Sequence, residues 1–94
     1  MNENEILSAL YQTVVNRRDN PKEGSYTCYL LDKGIDKILK KVGEECSETI
    51  IAAKNGDNEE LKNEINDLLY HVMVLAVNQG LEWSDVEKVL DERN

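Results

Sequence analysis

Glu45, Glu48, Glu64 and Asp67 form two acidic pairs placed symmetrically about Gly56: Glu45 and Asp67 each lie eleven residues from it, Glu48 and Glu64 each eight. If residues 34–55 and 58–79 are antiparallel helices joined at Asn55-Gly56-Asp57, Glu45 comes level with Asp67 and Glu48 with Glu64, so four carboxylates converge. Within each helix the two acids are three residues apart, which places their Cβ atoms about 5–6 Å from one another on nearly one face. Such a set suits a hard divalent cation, which takes about six oxygen ligands and, if it is Mg²⁺, keeps some of its water. The spacing predicts a metal site.

Acids on helices more often form a solvated face, but the helical angles weaken that reading here. In the first arm of the hairpin Ile35, Ile38, Leu39, Val42, Cys46, Ile50 and Ala53 make one apolar stripe, with Glu45 and Glu48 flanking it. In the second arm apolar residues from Ile65 to Val77 surround the axis, as in a helix buried on most sides. Glu64, Asp67 and His71 share one strip of that arm. Acids leading into a buried helix need partners, because unpaired buried charge costs several kcal/mol, and Lys41 alone does not neutralise four carboxylates.

The 94 residues predict one domain over 1–94, with 40% hydrophobic and 32% charged residues. No apolar run of about 18 residues is present to cross a membrane. The amino-terminal sequence MNENEILSAL lacks a basic segment and a long apolar stretch, so no secretory signal is expected and the cytoplasm is the expected compartment. A net charge of −8 disfavours nucleic acid as a partner. An anionic substrate would have to be drawn in by metal and by local Lys or Arg. Cys28 and Cys46 lack CxxC spacing and are expected as reduced structural thiols.

The remaining elements are helical by pattern. Asn4 is placed to cap a helix over residues 5–18, with Ile6, Leu7, Leu10, Tyr11, Val14 and Val15 on its apolar face and Arg17-Arg18 at its end. Residues 19–24 read as a loop, and Ser25-Tyr26-Thr27 as non-helical or starting a short turn before Cys28 to Lys33. Asp57 with Glu60 resembles a capping box, Gly80 stops the second arm, and Ser84-Asp85-Val86-Glu87 begins a last helix with Val86, Val89 and Leu90 inward. The fold class is all-α: a helical hairpin with flanking helices. Two short flanking helices do not cover an arm that is apolar all round, so a homodimer completing a helical bundle is expected.

Glu44-Glu45-Cys46-Ser47-Glu48 followed by Glu64-Ile65-Asn66-Asp67 reads as EExxE…ExxD. That resembles the all-α, MazG-like nucleotide pyrophosphohydrolases, which bind Mg²⁺ through such acids. Ser25-Tyr26-Thr27, the stretch from Lys33 to Glu45, and Asp67-Leu68-Leu69-Tyr70-His71 narrow the resemblance to the phosphoribosyl-ATP pyrophosphohydrolases of histidine biosynthesis, over nearly the whole chain. The resemblance implies Mg²⁺-dependent hydrolysis of 1-(5-phosphoribosyl)-ATP to 1-(5-phosphoribosyl)-AMP and pyrophosphate, the second step of that pathway. It also implies the stand-alone form, since 94 residues leave no room for the cyclohydrolase domain to which the family is fused elsewhere.

By that match Glu45, Glu48, Glu64 and Asp67 are the Mg²⁺ ligands. Glu44, about 100° from Glu45 on the helix, binds a second ion, orients water or is solvated; Glu48 or Glu44 is the candidate base. Lys41 falls between Glu45 and Glu48 in helical angle, one turn from Lys37, and both are candidates for substrate phosphate. Arg17, Lys22 and Lys33 are weaker candidates for the same task. Ser25 and Thr27 are placed to hydrogen-bond phosphate from a loop, and Tyr26 either packs on adenine or anchors that loop. His71 is either a partner that orients an acid or a satisfied core histidine. Trp83 is expected as a hydrophobic staple and not a base platform. Two rivals share the composition: a pyrophosphohydrolase acting on other nucleoside triphosphates, and a non-enzymatic helical interaction module.

Overall fold

Asn55-Gly56-Asp57 turns the chain where the sequence predicts. In the computed structural model, which describes residues 5–94, α3 (Ile35–Lys54) ends just before this turn and α4 (Asn58–Asn78) begins just after it. Gly56 adopts a φ of 69°, and its N–H donates to the Ala53 carbonyl while that of Asp57 donates to Ala52. This left-handed closure satisfies the last carbonyls of α3 and would strain any residue with a Cβ. The Asp57 carboxylate then accepts from the Glu60 N–H at 3.0 Å, capping α4. Only half of the expected capping box forms, because the Asp57 N–H is already used to close α3.

The flanking elements are α1 (Ile6–Asp19), α2 (Tyr26–Lys33) and α5 (Trp83–Arg93), and there is no strand among the described residues, as an all-α fold requires. Asn4, expected as the cap of α1, lies outside the described residues. Ser25 caps α2, its Oγ accepting from the Cys28 N–H at 3.2 Å. Tyr26 and Thr27 therefore form the first turn of a helix, the second of the two readings of this stretch. Gly34, expected as the first residue of the long helix, is instead the joint between α2 and α3, at a φ of 90°. One residue in that conformation swings α2 back against the α3–α4 hairpin, which sets Tyr26 beside the acids.

The core gathers on the carboxy-terminal half of α4, where Met73, Val74, Ala76 and Val77 are buried against Tyr11 and Val14 of α1, Leu30 of α2, Ile38 of α3 and Trp83 of α5. Each of the larger side chains so buried contributes about 1.5–3 kcal/mol relative to exposure. The Tyr11 hydroxyl pins α1 to the chain between α4 and α5 by donating to the Leu81 carbonyl at 3.0 Å. Among the described residues no helix is long and apolar enough to cross a membrane.

Packing within one chain leaves parts of the expected apolar faces open. Within one chain α3 turns Ile38, Glu45 and Ala52 inward, while Ile35, Leu39 and Ile50 of the expected core stripe stay exposed, Ile50 at 68%. The amino-terminal half of α4 likewise leaves Ile65 (43%) and Leu69 in the open. Helix α5 starts at Trp83 with Glu82 as its N-cap, so Ser84 caps nothing, and Val89 and Leu90 point outward. Trp83, buried in the core, begins α5 two residues earlier than the Ser-x-x-Glu pattern does, and sits inside the helix where a staple residue would precede it.

Candidate active site

Glu45 and Glu64 are buried carboxylates, exposed by only 6% and 8%, facing one another across the α3–α4 hairpin. With Glu48, which is more open to solvent, each offers an oxygen within 4.8 Å of the others. Glu45 Oε2 and Glu64 Oε2 are both buried without a hydrogen-bond partner. A bare buried carboxylate costs several kcal/mol unless a proton or a cation compensates it. Lys41 is the ion-pair partner among the described residues, its Nζ 3.8 Å from Glu45 Oε1 and 3.7 Å from Glu44 Oε2.

The crowding appears as proton affinity. The carboxylates of Glu60 and then Glu48, crowding Glu64 within hydrogen-bonding reach, push its pKa up to about 8, with burial adding to the effect. Burial, then the adjoining Glu48, also raises Glu45. Lys41 is shifted upward although burial opposes its charge, because Tyr26, Glu44, Glu45 and Glu48 all favour the ammonium. Two orphaned carboxylate oxygens and one open carboxylate at this spacing fit a hard divalent cation.

Asp67, the fourth expected ligand, is partly buried and close enough to raise Glu45 further, but stands outside the group that meets within 4.8 Å. Glu44 lies to the side, 43% exposed and tied to Lys41. Glu60 is the acid that sequence reasoning assigned only to a cap; it sits one turn before Glu64 on α4, and that i, i+4 spacing was the available signal. Glu48, Asn55, Asp57, Glu60 and Glu64 line an open groove of about 320 Å³ beside the cluster.

Helix α2 lays an aromatic ledge along the same side. Tyr26, 45% exposed, stacks with Tyr29 and with Tyr70 of α4, both at 6.1 Å between centroids. Its hydroxyl meets His71 Nε2 at 3.0 Å. His71 Nδ1 lies 2.7 Å from the Asp67 backbone carbonyl, so this histidine is satisfied by main chain and tyrosine and does not orient a carboxylate. Thr27 Oγ1 is hydrogen-bonded to the Tyr70 hydroxyl, and Ser25 Oγ is engaged as the α2 cap. Lys33 and Lys37 reach over the Tyr29 ring, at 5.8 and 6.0 Å from its centroid. Tyr29 and Tyr70 were not among the expected site residues; Tyr29 is three residues beyond Tyr26, one turn along α2.

Arg17, Lys22, Ser25, Tyr26, Cys28 and Tyr29 line a separate cleft of about 860 Å³ between the end of α1 and α2. Cys28 and Cys46 are free thiols, as expected. Backbone donation from Lys22, then contact with Ser25, lowers the Cys28 thiol.

Comparison with known proteins places the chain among named relatives. A family model described as phosphoribosyl-ATP pyrophosphohydrolase matches residues 7–94. The chain is 57% identical over 93 residues to a phosphoribosyl-ATP pyrophosphatase of Clostridium botulinum, covering 99% of this chain and 84% of that protein. It is 55% identical over 94 residues to the protein of that name in Clostridium acetobutylicum, covering 100% and 86%. For the one in Limosilactobacillus fermentum the identity is 60% over 87 residues, covering 93% and 82%. The EExxE…ExxD acids, the aromatic ledge and the lysines from Lys33 to Lys41 thus lie within a match that spans nearly every residue, and the chain belongs to the phosphoribosyl-ATP pyrophosphohydrolase family.

Proposed function

We propose that this chain hydrolyses 1-(5-phosphoribosyl)-ATP to 1-(5-phosphoribosyl)-AMP and pyrophosphate, the second step of histidine biosynthesis, as a cytoplasmic Mg²⁺-dependent homodimer whose catalytic domain spans 1–94. The observation that carries the reading is the meeting of Glu45, Glu48 and Glu64 with two buried oxygens left bare, in a chain matched to this family over residues 7–94. Glu45, Glu48 and Glu64 would hold Mg²⁺, with Asp67 completing the set. Bound there, the ion supplies polarisation of phosphate oxygens and relief of their charge toward an incoming water.

The chain's own residues do the rest. Glu48, the most open member of the cluster, takes the proton from the attacking water as the water oxygen bonds to phosphorus and the phosphoanhydride bond between phosphoribosyl-AMP and pyrophosphate breaks; Glu44 is the second candidate for that role. Lys41 sits among the acids and, with Lys37 and Lys33 along the same side, holds the charge of the triphosphate. Tyr26 and Tyr29 offer ring faces to the purine, with Ser25 and Thr27 shaping the start of their helix. The exposed apolar faces of α3 and α4 support the homodimer, since patches of that kind are rarely left open on monomers.

One assay tests this: purified protein with Mg²⁺ against phosphoribosyl-ATP and a panel of nucleoside triphosphates. Preference for phosphoribosyl-ATP supports the reading, and equal or better turnover of the simple triphosphates moves the chain to the broader group of nucleotide pyrophosphohydrolases.

A further inference from the structure

The cleft between α1 and α2 is not accounted for by the hydrolytic chemistry. Its volume of about 860 Å³ is within the range of small-molecule sites, about 300–1,000 Å³. Of its cations, Arg18 is committed to Asp19 at 2.9 Å, and Glu23 and Asp32 also stand on its wall. Arg17 and Lys22 make no ion pair among the described residues. Arg17 and Lys22 thus leave two cations on this wall available to a ligand, in a chain of net charge −8.

They are also held together. The Lys22 N–H donates to Cys28 Sγ at 3.4 Å, and Cys28 Sγ–H donates to the Arg17 carbonyl at 3.4 Å. Cys28 thus ties the loop carrying Lys22 to the end of α1, fixing the spacing of the two backbones from which the cations project.

Tyr26 connects this cleft to the acids. It lines the cleft, and its hydroxyl lies within electrostatic reach of Lys41 and Glu45. Three chemistries follow in order: a carboxylate cluster suited to a cation, an aromatic surface, and a cleft that carries Arg17 and Lys22. Phosphoribosyl-ATP has the matching order, with a triphosphate at one end, a purine in the middle, and a second ribose phosphate on the far side of the base. ATP lacks that last part.

We propose that the α1–α2 cleft receives the phosphoribosyl arm, with Arg17 and Lys22 on its phosphate, and that this contact discriminates phosphoribosyl-ATP from ATP. The inference rests on the substrate assigned above. Each lost charge-assisted contact lowers affinity for the arm by roughly 10- to 100-fold, and a contact equally strong in ground and transition states appears mainly in KM.

The test compares wild type, Arg17→Ala, Lys22→Ala and the charge-keeping Arg17→Lys. The quantity read is the ratio of kcat/KM for phosphoribosyl-ATP to that for ATP; if ATP is not turned over, its Ki as a competitive inhibitor replaces the second term. Either alanine variant should lower wild-type discrimination about 10- to 100-fold through a raised KM for phosphoribosyl-ATP, with Arg17→Lys recovering part of the loss. Lys22 is exposed on a loop, so its variant reports even if Arg17→Ala folds poorly. A ratio held at the wild-type value in Lys22→Ala and in a folded Arg17 variant overturns the cleft assignment. No wild-type turnover of phosphoribosyl-ATP instead overturns the substrate reading beneath it.

Discussion

Tyr26 and His71 join α2 to α4 through a hydrogen bond of 3.0 Å, and its direction is fixed from the other side of the ring. His71 Nδ1 lies 2.7 Å from the Asp67 carbonyl oxygen, which only accepts, so Nδ1 carries the hydrogen. In the neutral imidazole Nε2 is then the acceptor and Tyr26 the donor. Tyr26→Phe keeps the ring and removes that donor, leaving a buried nitrogen unpaired at a cost of about 1–3 kcal/mol. For a domain of this size each kcal/mol lowers Tm by roughly 4–8 °C. A thermal melt checks this, and an unchanged Tm would mean that the bond does not hold α2 in place.

The raised pKa of Glu64 has a definite consequence for stability against pH. Its carboxyl keeps a proton up to about 8 in the folded chain but only to 4.5 when unfolded. Between those values the native state binds the extra proton, so without metal stability is undiminished below about 4.5, falls as pH rises, and is lowest above about 8. The raised Glu45 acts in the same direction. Glu64→Gln should flatten this decline and stabilise the metal-free protein at the alkaline end. Melting curves in chelator across the window decide the matter; stability climbing with pH would contradict the crowding of these acids.

A ligand that binds only the folded state stabilises it by mass action. Millimolar Mg²⁺ should therefore raise Tm, and most of the rise should vanish in the double variant Glu45→Gln/Glu64→Gln. Asp67→Asn should keep part of it, since Asp67 lies outside the group within 4.8 Å. Equal responses in wild type and double variant would rule out this cluster as the metal site.

Hairpin geometry and the acids were legible because both depend on local rules. The Gly56 turn and the Asp57 cap fixed the ends of α3 and α4 within a residue of the expected bounds, and the separation from that turn brought Glu48 and Glu64 together. What periodicity does not encode is which partner each face meets. Ile35, Ile38, Leu39 and Ile50 share a stripe, yet packing in one chain buries Ile38 and turns Glu45 inward. Similarly, nothing local placed Asp67 outside the tight cluster or set Tyr29 on the ledge. Tyr29 reaches the ledge through the turn of α2 at Gly34, whose φ of 90° no apolar periodicity encodes.

The apolar residues left open on α3 and α4, including Leu39, Ile50, Ile65 and Leu69, lead to an expectation about assembly. Sedimentation should give about twice the 10.7 kDa of one chain. Ile65→Glu or Leu69→Glu should shift the distribution toward monomer, because a like charge introduced in each copy is costly to bury at a twofold contact. A wild-type chain that stays monomeric at micromolar concentration would remove the dimer from the proposal.

Glu48→Gln and Lys41→Ala separate the two kinds of charge at the site. Glu48→Gln preserves size and helix propensity but removes both a carboxylate of the cluster and the candidate base, so kcat should fall by about 10²-fold or more. Lys41 contacts Glu44 and Glu45 at 3.7 and 3.8 Å, a geometry compatible with two roles. If it holds substrate phosphate, Lys41→Ala raises KM for phosphoribosyl-ATP at saturating Mg²⁺, with a smaller effect on kcat where the contact is equally strong in ground and transition states. If it only relieves repulsion among the acids, its loss alters the Mg²⁺ concentration needed for activity and the stability of the metal-free protein, and leaves that KM in place. Titrating Mg²⁺ and substrate independently distinguishes these outcomes: an unaltered KM at saturating metal would remove Lys41 from the phosphate contacts and leave the carboxylate cluster standing.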